Sequence, residues 1–312
     1  MTLTPTAAAA PTPAAPSTPT TPPTPALEAR GVRLAYGSGA PVIEDLSLRI
    51  PAGQVTAIIG ANGCGKSTLL RALTRQLPLS AGSLHVHGAD IAGISARDYA
   101  RTVALLPQHP VAPEGMTVAQ LVERGRLPHR GFFGSRARGD DDAIAAALAL
   151  TDLTELAETE VARLSGGQRQ RAWLALVLAQ QTPVVLLDEP TSYLDLSHQV
   201  EVLDLVRRLP DPRHATGLTD SAASPDDTAG LADGPSTPRA TVVAVLHELN
   251  MAARAADHLV AMADGAVVAT GTPAEVLVPD VLDRVFGLDA DVITDPLLGH
   301  PVVLPRGRKD RS

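Results

Sequence analysis

Two patterns of apolar residues along the chain predict two kinds of β-strand. Continuous apolar runs are typical of strands buried on both faces of a parallel sheet, and three such runs are VTAII (55–59), VVLL (184–187) and VVAVL (242–246). Alternation of apolar and polar residues indicates strands with one exposed face, as in LSLRI (46–50) and SLHVHG (83–88). Polar residues that can carry chemistry follow each continuous run.

Helical spacing of apolar residues predominates in two other parts of the chain. In KSTLLRALTRQL (66–77) the leucines fall on one face of a helix, directly after the first buried run. Between residues 95 and 165 the pattern is mainly helical, with clear helices at MTVAQLVERGR (116–126) and DDAIAAALALTDLTELAE (141–158). We interpret residues 95–165 as a helical subdomain inserted into an α/β fold.

Two stretches of low complexity interrupt this pattern. Residues 2–26 consist almost wholly of Thr, Ala and Pro, a composition that buries too little apolar surface to offset its ordering entropy. We therefore predict a disordered tail over residues 1–26. Residues 210–240 are rich in Pro, Gly, Asp and Ser and predict a mobile surface loop. One ordered domain is expected over residues 27–300, followed by a C-terminal tail at 301–312.

Composition and charge exclude several classes of protein. The 312 residues carry a net charge of −8, which disfavours a nucleic-acid partner. No apolar run approaches the roughly 18 residues that a membrane-spanning helix needs, and the N-terminus lacks the features of a signal peptide. Cys64 is the single cysteine, so an intramolecular disulfide is excluded and a reducing cytoplasm is indicated.

The segment GANGCGKST (60–68) matches a phosphate-binding loop, because it follows a buried strand and opens a helix. Backbone N–H groups of residues 62–66 are expected to surround phosphates, with Lys66 on the β- and γ-phosphates and Ser67 on Mg²⁺. The helix N-terminus and Lys66 would also favour the thiolate of Cys64. A reactive thiol and a buried, inert one both remain open for this residue.

The segment VVLLDEP places two carboxylates, Asp188 and Glu189, at the end of a buried strand. Adjacent carboxylates need a nearby cation and solvent, since otherwise the pKa of one of them rises. We expect Asp188 to hold Mg²⁺ through water and Glu189 to polarise an attacking water molecule.

A second glycine-bearing segment, LSGGQ (164–168), lies about a hundred residues after the phosphate loop. Together with the phosphate loop and the carboxylate pair, it resembles the ATP-binding-cassette (ABC) ATPases, whose signature it is. The resemblance implies a P-loop NTPase cassette with a RecA-like core, an antiparallel β subdomain and an inserted helical subdomain. It also implies ATP and Mg²⁺ as cofactors and a head-to-tail homodimer. There the signature of one subunit contacts the ATP of the other, through Ser165, Gly166, Gly167 and Gln168.

The same resemblance assigns roles to other residues. Tyr36 would stack on adenine, Gln108 would reach Mg²⁺ and the attacking water, and His247 would contact the γ-phosphate. Asp195 would communicate between the two nucleotide sites of the dimer. The resemblance assigns nucleotide contacts in the phosphate loop to Gly60, Asn62, Gly63, Cys64, Gly65, Lys66, Ser67 and Thr68. Catalysis would rest on Glu189, His247, Gln108 and Lys66, and metal binding on Ser67, Gln108 and Asp188.

A further resemblance is to one subfamily of these ATPases. The segments ISARDYARTVALLPQHP (94–110), MTVAQLVERGRLPHRG (116–131) and TSYLDLSHQVEVLDLV (191–206), with the tail VITDPLLGHPVVLP (292–305), are similar to the subfamily that imports iron–siderophores, haem and cobalamin. This implies an ATPase homodimer beneath transmembrane permease subunits at the cytoplasmic face of the cell membrane. A substrate-binding protein would be an indirect partner, and no nucleic acid is expected.

Two alternatives remain at this point. A soluble, non-transport ABC ATPase of the iron–sulfur-assembly or scaffold type would carry the same motifs. An unrelated P-loop kinase would leave LSGGQ unexplained. Two departures from the family pattern also stand out: Ala61 occupies a position that is often Pro, and the 210–240 stretch is longer than the turn expected there.

Overall fold

The computed structural model describes residues 24–131, 137–192, 194–209 and 239–306. The predicted mobile loop, apart from its last residues, and most of the predicted N-terminal tail therefore lie outside the described residues. Within the described ranges, no helix has both the length and the apolar character needed to cross a lipid bilayer.

A six-stranded sheet forms the centre of the molecule, in the order β10-β9-β3-β8-β7-β6. Its strands are β3 (Val55–Gly60), β6 (Val103–Leu106), β7 (Val184–Asp188), β8 (Thr241–Val245), β9 (His258–Ala263) and β10 (Ala266–Gly271). All pairings are parallel except that of β10 with β9. The three continuous apolar runs form β3, β8 and β7, which lie side by side and are buried along their whole length, as predicted.

A four-stranded antiparallel sheet lies beside the central sheet, in the order β2-β1-β4-β5. It contains β1 (Leu27–Ala35), β2 (Pro41–Ile50), β4 (Ala81–Val86) and β5 (Ala89–Asp90). Along β2 buried residues alternate with exposed ones, which confirms the prediction from its sequence. One apolar cluster joins the inner face of this sheet, one face of the central sheet and the leucines of helix α1 (Lys66–Leu73).

Helix α1 ends earlier than predicted. Its last helical residue is Leu73 rather than Leu77, and the hydroxyl of Thr74 donates to the carbonyl of Leu70 at 3.0 Å. Arg75 then takes a left-handed conformation with φ 59°, which ends the helix. The helical spacing of leucines in the sequence therefore extends past the last residue of the helix.

A third apolar cluster holds together the helical region. The helices are α2 (Ala96–Ala100), α3 (Val118–Glu123), α4 (Asp140–Leu150) and α5 (Gly166–Ala179). Short 3₁₀ helices lie at Ile91–Gly93, Arg124–His129, Thr154–Leu156 and Val161–Arg163. The cluster is built from α3, α4 and one face of α5, through Leu121, Leu148 and Ala175 among others.

Two elements cross the predicted bounds of the helical subdomain, about 95 and 165. Residues 103–106 form β6, which pairs in parallel with β7 in the central sheet. At the other end α5 contributes Ala172, Ala175 and Ala179 to the helical cluster. A four-residue apolar run is too short to distinguish a strand from a helix by periodicity, so only its pairing with β7 identifies β6.

The C-terminal part contains α6 (Leu196–Arg208), α7 (Leu249–Ala255), α8 (Pro273–Val276), α9 (Pro279–Phe286), β11 (Ala290–Thr294) and β12 (Pro301–Pro305). The predicted tail at 301–312 starts too early, because β12 pairs with β11 in an antiparallel hairpin. The side chain of Asn250 binds the backbone of Val303, accepting from its N–H at 2.7 Å and donating to its carbonyl at 3.2 Å. These bonds attach the hairpin to α7.

Candidate active site

The phosphate loop connects β3 to α1 and places Lys66 beneath it. The Lys66 ammonium donates to the carbonyls of Gly60 at 2.7 Å and Ala61 at 2.9 Å, and its side chain is buried. Gly60 has φ 158°, and a Cβ there would lie 2.3 Å from the carbonyl oxygen of Met262. A glycine is therefore required at position 60, because the backbone there packs closely on the backbone of Met262. Lys66 is held under the loop by its bonds to the two carbonyls.

Cys64 turns away from the surface of the loop. Its side chain is only 6% exposed, packs into the core between the two sheets, and has its Sγ 3.8 Å from the ammonium of Lys66. Cys64 is not among the residues that line the cavity in front of the loop. This burial supports the inert-thiol alternative over the reactive one.

The cavity in front of the loop brings together residues that are far apart in sequence. It is lined by Asn62, Gly63, Gly65, Lys66, Ser67, Thr68, Glu189 and His247. Because β3, β7 and β8 are neighbouring parallel strands, their carboxyl ends meet at one edge of the sheet. Polar residues directly follow each of these strands in the sequence. The order of the strands in the sheet brings these residues close together.

Ser67 and Asp188 form the first polar pair at this edge. The hydroxyl of Ser67 donates to Oδ1 of Asp188 at 3.1 Å. Burial raises the pKa of Asp188, the hydrogen bond from Ser67 opposes that rise only in part, and the neighbouring charge of Glu189 adds to it. A buried carboxylate whose pKa is raised is stabilised by a cation, and a carboxylate with a hydroxyl suits the oxygen preference of Mg²⁺.

Glu189 is held by three side chains. His247 and Gln108 both contact its carboxylate, and the hydroxyl of Ser192 donates to Oε2 at 2.8 Å. Burial alone would raise the pKa of Glu189, but hydrogen bonds from His247 and Ser192 outweigh it and hold the pKa below its usual range. The carboxylate is therefore kept ionised and fixed in direction.

The backbone of Glu189 is also unusual. Its φ is 53°, in the left-handed region that residues other than glycine rarely adopt. Strained backbone of this kind persists where surrounding contacts hold it, and it is frequent at functional sites. Ser192, three residues later, is one of those contacts and was not among the residues predicted from sequence. No sequence pattern distinguishes it from other turn serines.

Tyr36 lies at the surface where β1 ends, beside helix α1, and is 45% exposed. Its phenolic oxygen lies 3.3 Å from the hydroxyl of Thr68 and accepts a hydrogen bond from Arg71 at 3.0 Å. The ring is thus attached to the first two turns of α1. Arg71 was also missed by sequence reasoning, because a single basic residue on a helix is usually only a solvated side chain.

The signature residues lie outside the cavity. Ser165 precedes α5 and caps it: its hydroxyl accepts from the N–H of Gln168 at 3.2 Å, and Gln168 accepts from the N–H of Ser165 at 3.0 Å. Ser165 and Gly166 are exposed. Asp195 caps α6 in a similar way, accepting from the backbone N–H of His198 at 3.1 Å. One chain therefore does not bring LSGGQ or Asp195 into its own cavity.

A family model described as ABC transporter matches residues 43–192, from β2 to Ser192. Over 283 residues the chain is 42% identical to the probable siderophore transport system ATP-binding protein YusV of Bacillus subtilis (strain 168), covering 91% of this chain and 94% of that protein. The chain belongs to the ABC transporter family.

Two further comparisons agree with this membership. The petrobactin import ATP-binding protein FpuD of Bacillus anthracis is 43% identical over 286 residues, which cover 92% of this chain and 95% of that protein. A solved structure of a metal-chelate type ABC transporter in an inward-facing conformation superposes with a TM-score of 0.70 at 26% identity, covering 91% of this chain and 98% of that one. The predicted ABC cassette fold is therefore confirmed.

Proposed function

We propose that the chain is the ATP-hydrolysing subunit of an importer that takes up an iron–siderophore or related chelate through separate permease subunits. The single observation that supports hydrolysis best is the arrangement of Glu189, which His247, Gln108 and Ser192 hold beside the phosphate-loop cavity. The name of YusV specifies a siderophore transport system, and that of FpuD specifies petrobactin import. These names favour import over the iron–sulfur-assembly alternative.

ATP binding is assigned to the side of the cavity formed by α1. The backbone N–H groups of residues 62–66 and the N-terminus of α1 supply donors to the phosphates. Lys66, which already lies under the loop, would exchange its bonds to the carbonyls of Gly60 and Ala61 for the β- and γ-phosphates. Tyr36 is exposed and attached to Thr68, so its ring is available for adenine.

Mg²⁺ is assigned to Ser67, Asp188 and Gln108. When bound, the ion would neutralise charge on the β- and γ-phosphates. Ser67 and Asp188 are already in contact in this structure. The side chain of Gln108 donates to the carboxylate of Glu189, so the residue proposed to reach the metal also contacts the carboxylate proposed for hydrolysis.

The hydrolytic step is assigned to Glu189. Its lowered pKa keeps the carboxylate ionised at neutral pH, so that it can accept a hydrogen bond from the attacking water. His247 holds Oε1 from one side and lines the same cavity, from which its ring can reach a γ-phosphate. Gln108 and Ser192 hold Oε2 from the other side. Chemistry of this kind depends mainly on positioning and on charge.

The second half of each nucleotide site is assigned to a partner copy. Ser165 and Gly166 are exposed at the start of α5, where the helix N-terminus favours an anion. Gln168 closes the same turn through its capping bonds. ATP bound by one subunit would draw the signature of the other onto its γ-phosphate, and hydrolysis would release it. The energy for transport then comes from the different affinities of open and closed dimers for nucleotide.

Transmission to the membrane is assigned to the helical region that follows Gln108. We propose that permease subunits bind there, at the cytoplasmic face of the cell membrane, and that a substrate-binding protein delivers the chelate to the permease. Val111 and Leu127 are large apolar residues on this side with exposed fractions of 85% and 56%. A permease subunit that binds here would cover these two side chains.

Uptake of labelled substrate by a deletion strain tests this proposal. The strain would be supplied separately with ferric siderophores of several chemical classes, haem and cobalamin, and complemented with the wild-type chain or with Glu189→Gln. Loss of uptake of one ferric siderophore class, restored by the wild type only, is the expected result. Unchanged uptake of every iron chelate, combined with a defect in iron–sulfur enzymes, would instead support the soluble alternative.

A further inference from the structure

The ring of Tyr36 lies between the end of a strand and a glycine-containing turn. β1 ends at Ala35, and the N–H of Gly39 then donates to the carbonyl of Tyr36 at 3.1 Å. Gly37, inside this turn, has φ 58°, a conformation that glycine adopts readily. Because Tyr36 is 45% exposed, packing alone restrains its ring only in part.

Two side chains of helix α1 hold this ring through its phenolic oxygen. Arg71 donates to the oxygen at 3.0 Å, and Oγ1 of Thr68 lies 3.3 Å from it. Since the oxygen accepts from Arg71, its own proton is free to be donated to Thr68. Thr68 and Arg71 are three residues apart and lie on the same face of the helix. Thr68 also lines the phosphate-loop cavity, so the phenol of Tyr36 contacts a residue of the cavity wall.

Arg71 affects the site in two ways, by its hydrogen bond and by its charge. Burial raises the pKa of Asp188, and the positive charge of Arg71 opposes part of that rise. Arg71 is exposed, so salt screens this longer-range effect. The hydrogen bond to Tyr36 is a direct contact at 3.0 Å, and its influence therefore depends less on the solvent.

We propose that Arg71 is a positioning residue for the base of the nucleotide, because its hydrogen bond holds the ring of Tyr36 in place before ATP binds. A ring that is already fixed loses less conformational freedom when a base stacks on it, so ATP binds more tightly. This inference rests on the proposed function, in which Tyr36 stacks on adenine. It adds that α1, which carries Lys66 and Ser67 at its start, also positions the side chain at the base.

Steady-state ATPase kinetics of Tyr36→Phe, Arg71→Met and the double variant test this role. Each single change removes the same hydrogen bond and should raise KM for ATP by about fourfold, a usual effect for one such bond. The double variant should show the same increase, whereas independent effects would multiply to about sixteenfold. Tyr36→Phe keeps the charge of Arg71, so equal effects of the two single changes identify the bond as the cause. Because Glu189 and its contacts are untouched, kcat should stay within about twofold of the wild type.

Inorganic tripolyphosphate separates the base from the phosphates, because it has a phosphate chain and no base. Its inhibition constant for the ATPase, measured with Mg²⁺ present, should be the same in the wild type and in Arg71→Met. Arg30→Met is the matched control, since Arg30 is also an exposed arginine and bonds Glu28 on β1 at 2.6 Å. This control should keep the wild-type KM. Thermal unfolding of each variant, followed by circular dichroism, shows whether a change in KM is a loss of folding.

Three results would each show that Arg71 does not act through Tyr36. They are a wild-type KM in Tyr36→Phe and Arg71→Met, multiplied effects in the double variant, and weaker inhibition of Arg71→Met by tripolyphosphate. An equal rise of KM in Arg30→Met would also overturn the inference, because the effect would then be one of surface charge.

Tyr36→Ala tests the stacking itself. Removal of the ring should raise KM for ATP by about tenfold or more. If Tyr36→Ala raises KM and the two milder changes do not, adenine stacking stands and the positioning role of Arg71 is wrong. If Tyr36→Ala leaves KM unchanged, the place of Tyr36 in the proposed function is wrong as well.

Discussion

The two glycine-bearing segments of this chain both open a helix, yet their helix N-termini differ. At the start of α1 the capping position is Gly65, which has no side chain to accept a hydrogen bond from the first turn. At the start of α5 the capping position is Ser165, which forms a reciprocal capping box with Gln168. The first N–H groups of a helix always need partners.

This difference indicates which of the two helices can bind phosphate in the cavity of its own subunit. The first turn of α1 leaves its donors to the cavity, next to Lys66 and Ser67. The first turn of α5 satisfies a backbone donor with Ser165 and stays stable without a ligand. In the proposed dimer α5 contacts a nucleotide only when the subunits close, so the start of the helix must also be folded in the open state. A capping box provides that stability.

The largest effect is expected where the two segments would meet across the proposed dimer. Glu189→Gln keeps size and shape but removes the charge that polarises water, so hydrolysis should fall by about two to four orders of magnitude. Lys66, Ser67 and Asp188 remain, so MgATP should still bind and the closed dimer should accumulate. Size-exclusion chromatography with light scattering, in ATP and in ADP at fixed protein concentration, measures this.

The matched control for this experiment is Ser165→Arg in the Glu189→Gln background. It places bulk at the exposed start of α5 and should return the protein to monomers in ATP. A Glu189→Gln protein that binds ATP but stays monomeric at high concentration would remove the main support for a head-to-tail dimer.

A smaller effect is expected from the cap itself. Ser165→Ala should destabilise the fold by about 1 kcal/mol, the usual cost of losing a Ser or Thr cap. Thr117→Ala is the matched variant, because Thr117 and Gln120 form the same capping box at α3. Both should lower the midpoint of urea unfolding alike, but only Ser165→Ala should reduce ATPase activity. Equal activity losses in the two variants would show that the serine acts only as a cap.

The pH dependence of stability offers a finer test of the Glu189 contacts. The pKa of Glu189 is lowered in the folded protein, so its hydrogen bonds stabilise the fold above the unfolded value of 4.5 and are lost as pH falls through the folded value. The difference in melting temperature between the wild type and Glu189→Gln should therefore shrink below pH 4.5. Thermal scans across pH 3.5–7.5, in roughly half-unit steps, measure it. A constant difference would show that the contacts do not depend on charge.

The smallest effect is expected at Cys64. Because its side chain is packed in the core, a thiol reagent should modify the native protein much more slowly than the urea-unfolded chain. Mass spectrometry of samples taken over time follows the reaction. Rapid modification of the folded protein, prevented by MgATP, would show that the loop opens and would restore the reactive-thiol alternative.

Several features could be predicted from local sequence because their causes are local. Burial of β3, β7 and β8 follows from continuous apolar runs, and the phosphate loop follows from glycines and Lys66 between a strand and a helix. In each case the physical reason lies within a few residues of the chain.

Other features depended on which distant segments meet. The run 103–106 became a strand only through pairing with β7, and 301–305 became one through pairing with β11. Ser192 and Arg71 acquired partners because the sheet order and α1 place Glu189 and Tyr36 beside them. Likewise, LSGGQ identifies two glycines, but only the tertiary structure shows that a Cβ at Gly166 would meet open space and one at Gly167 would meet the ring of His198. A single side chain cannot encode its distant neighbour, so tertiary structure decides these contacts.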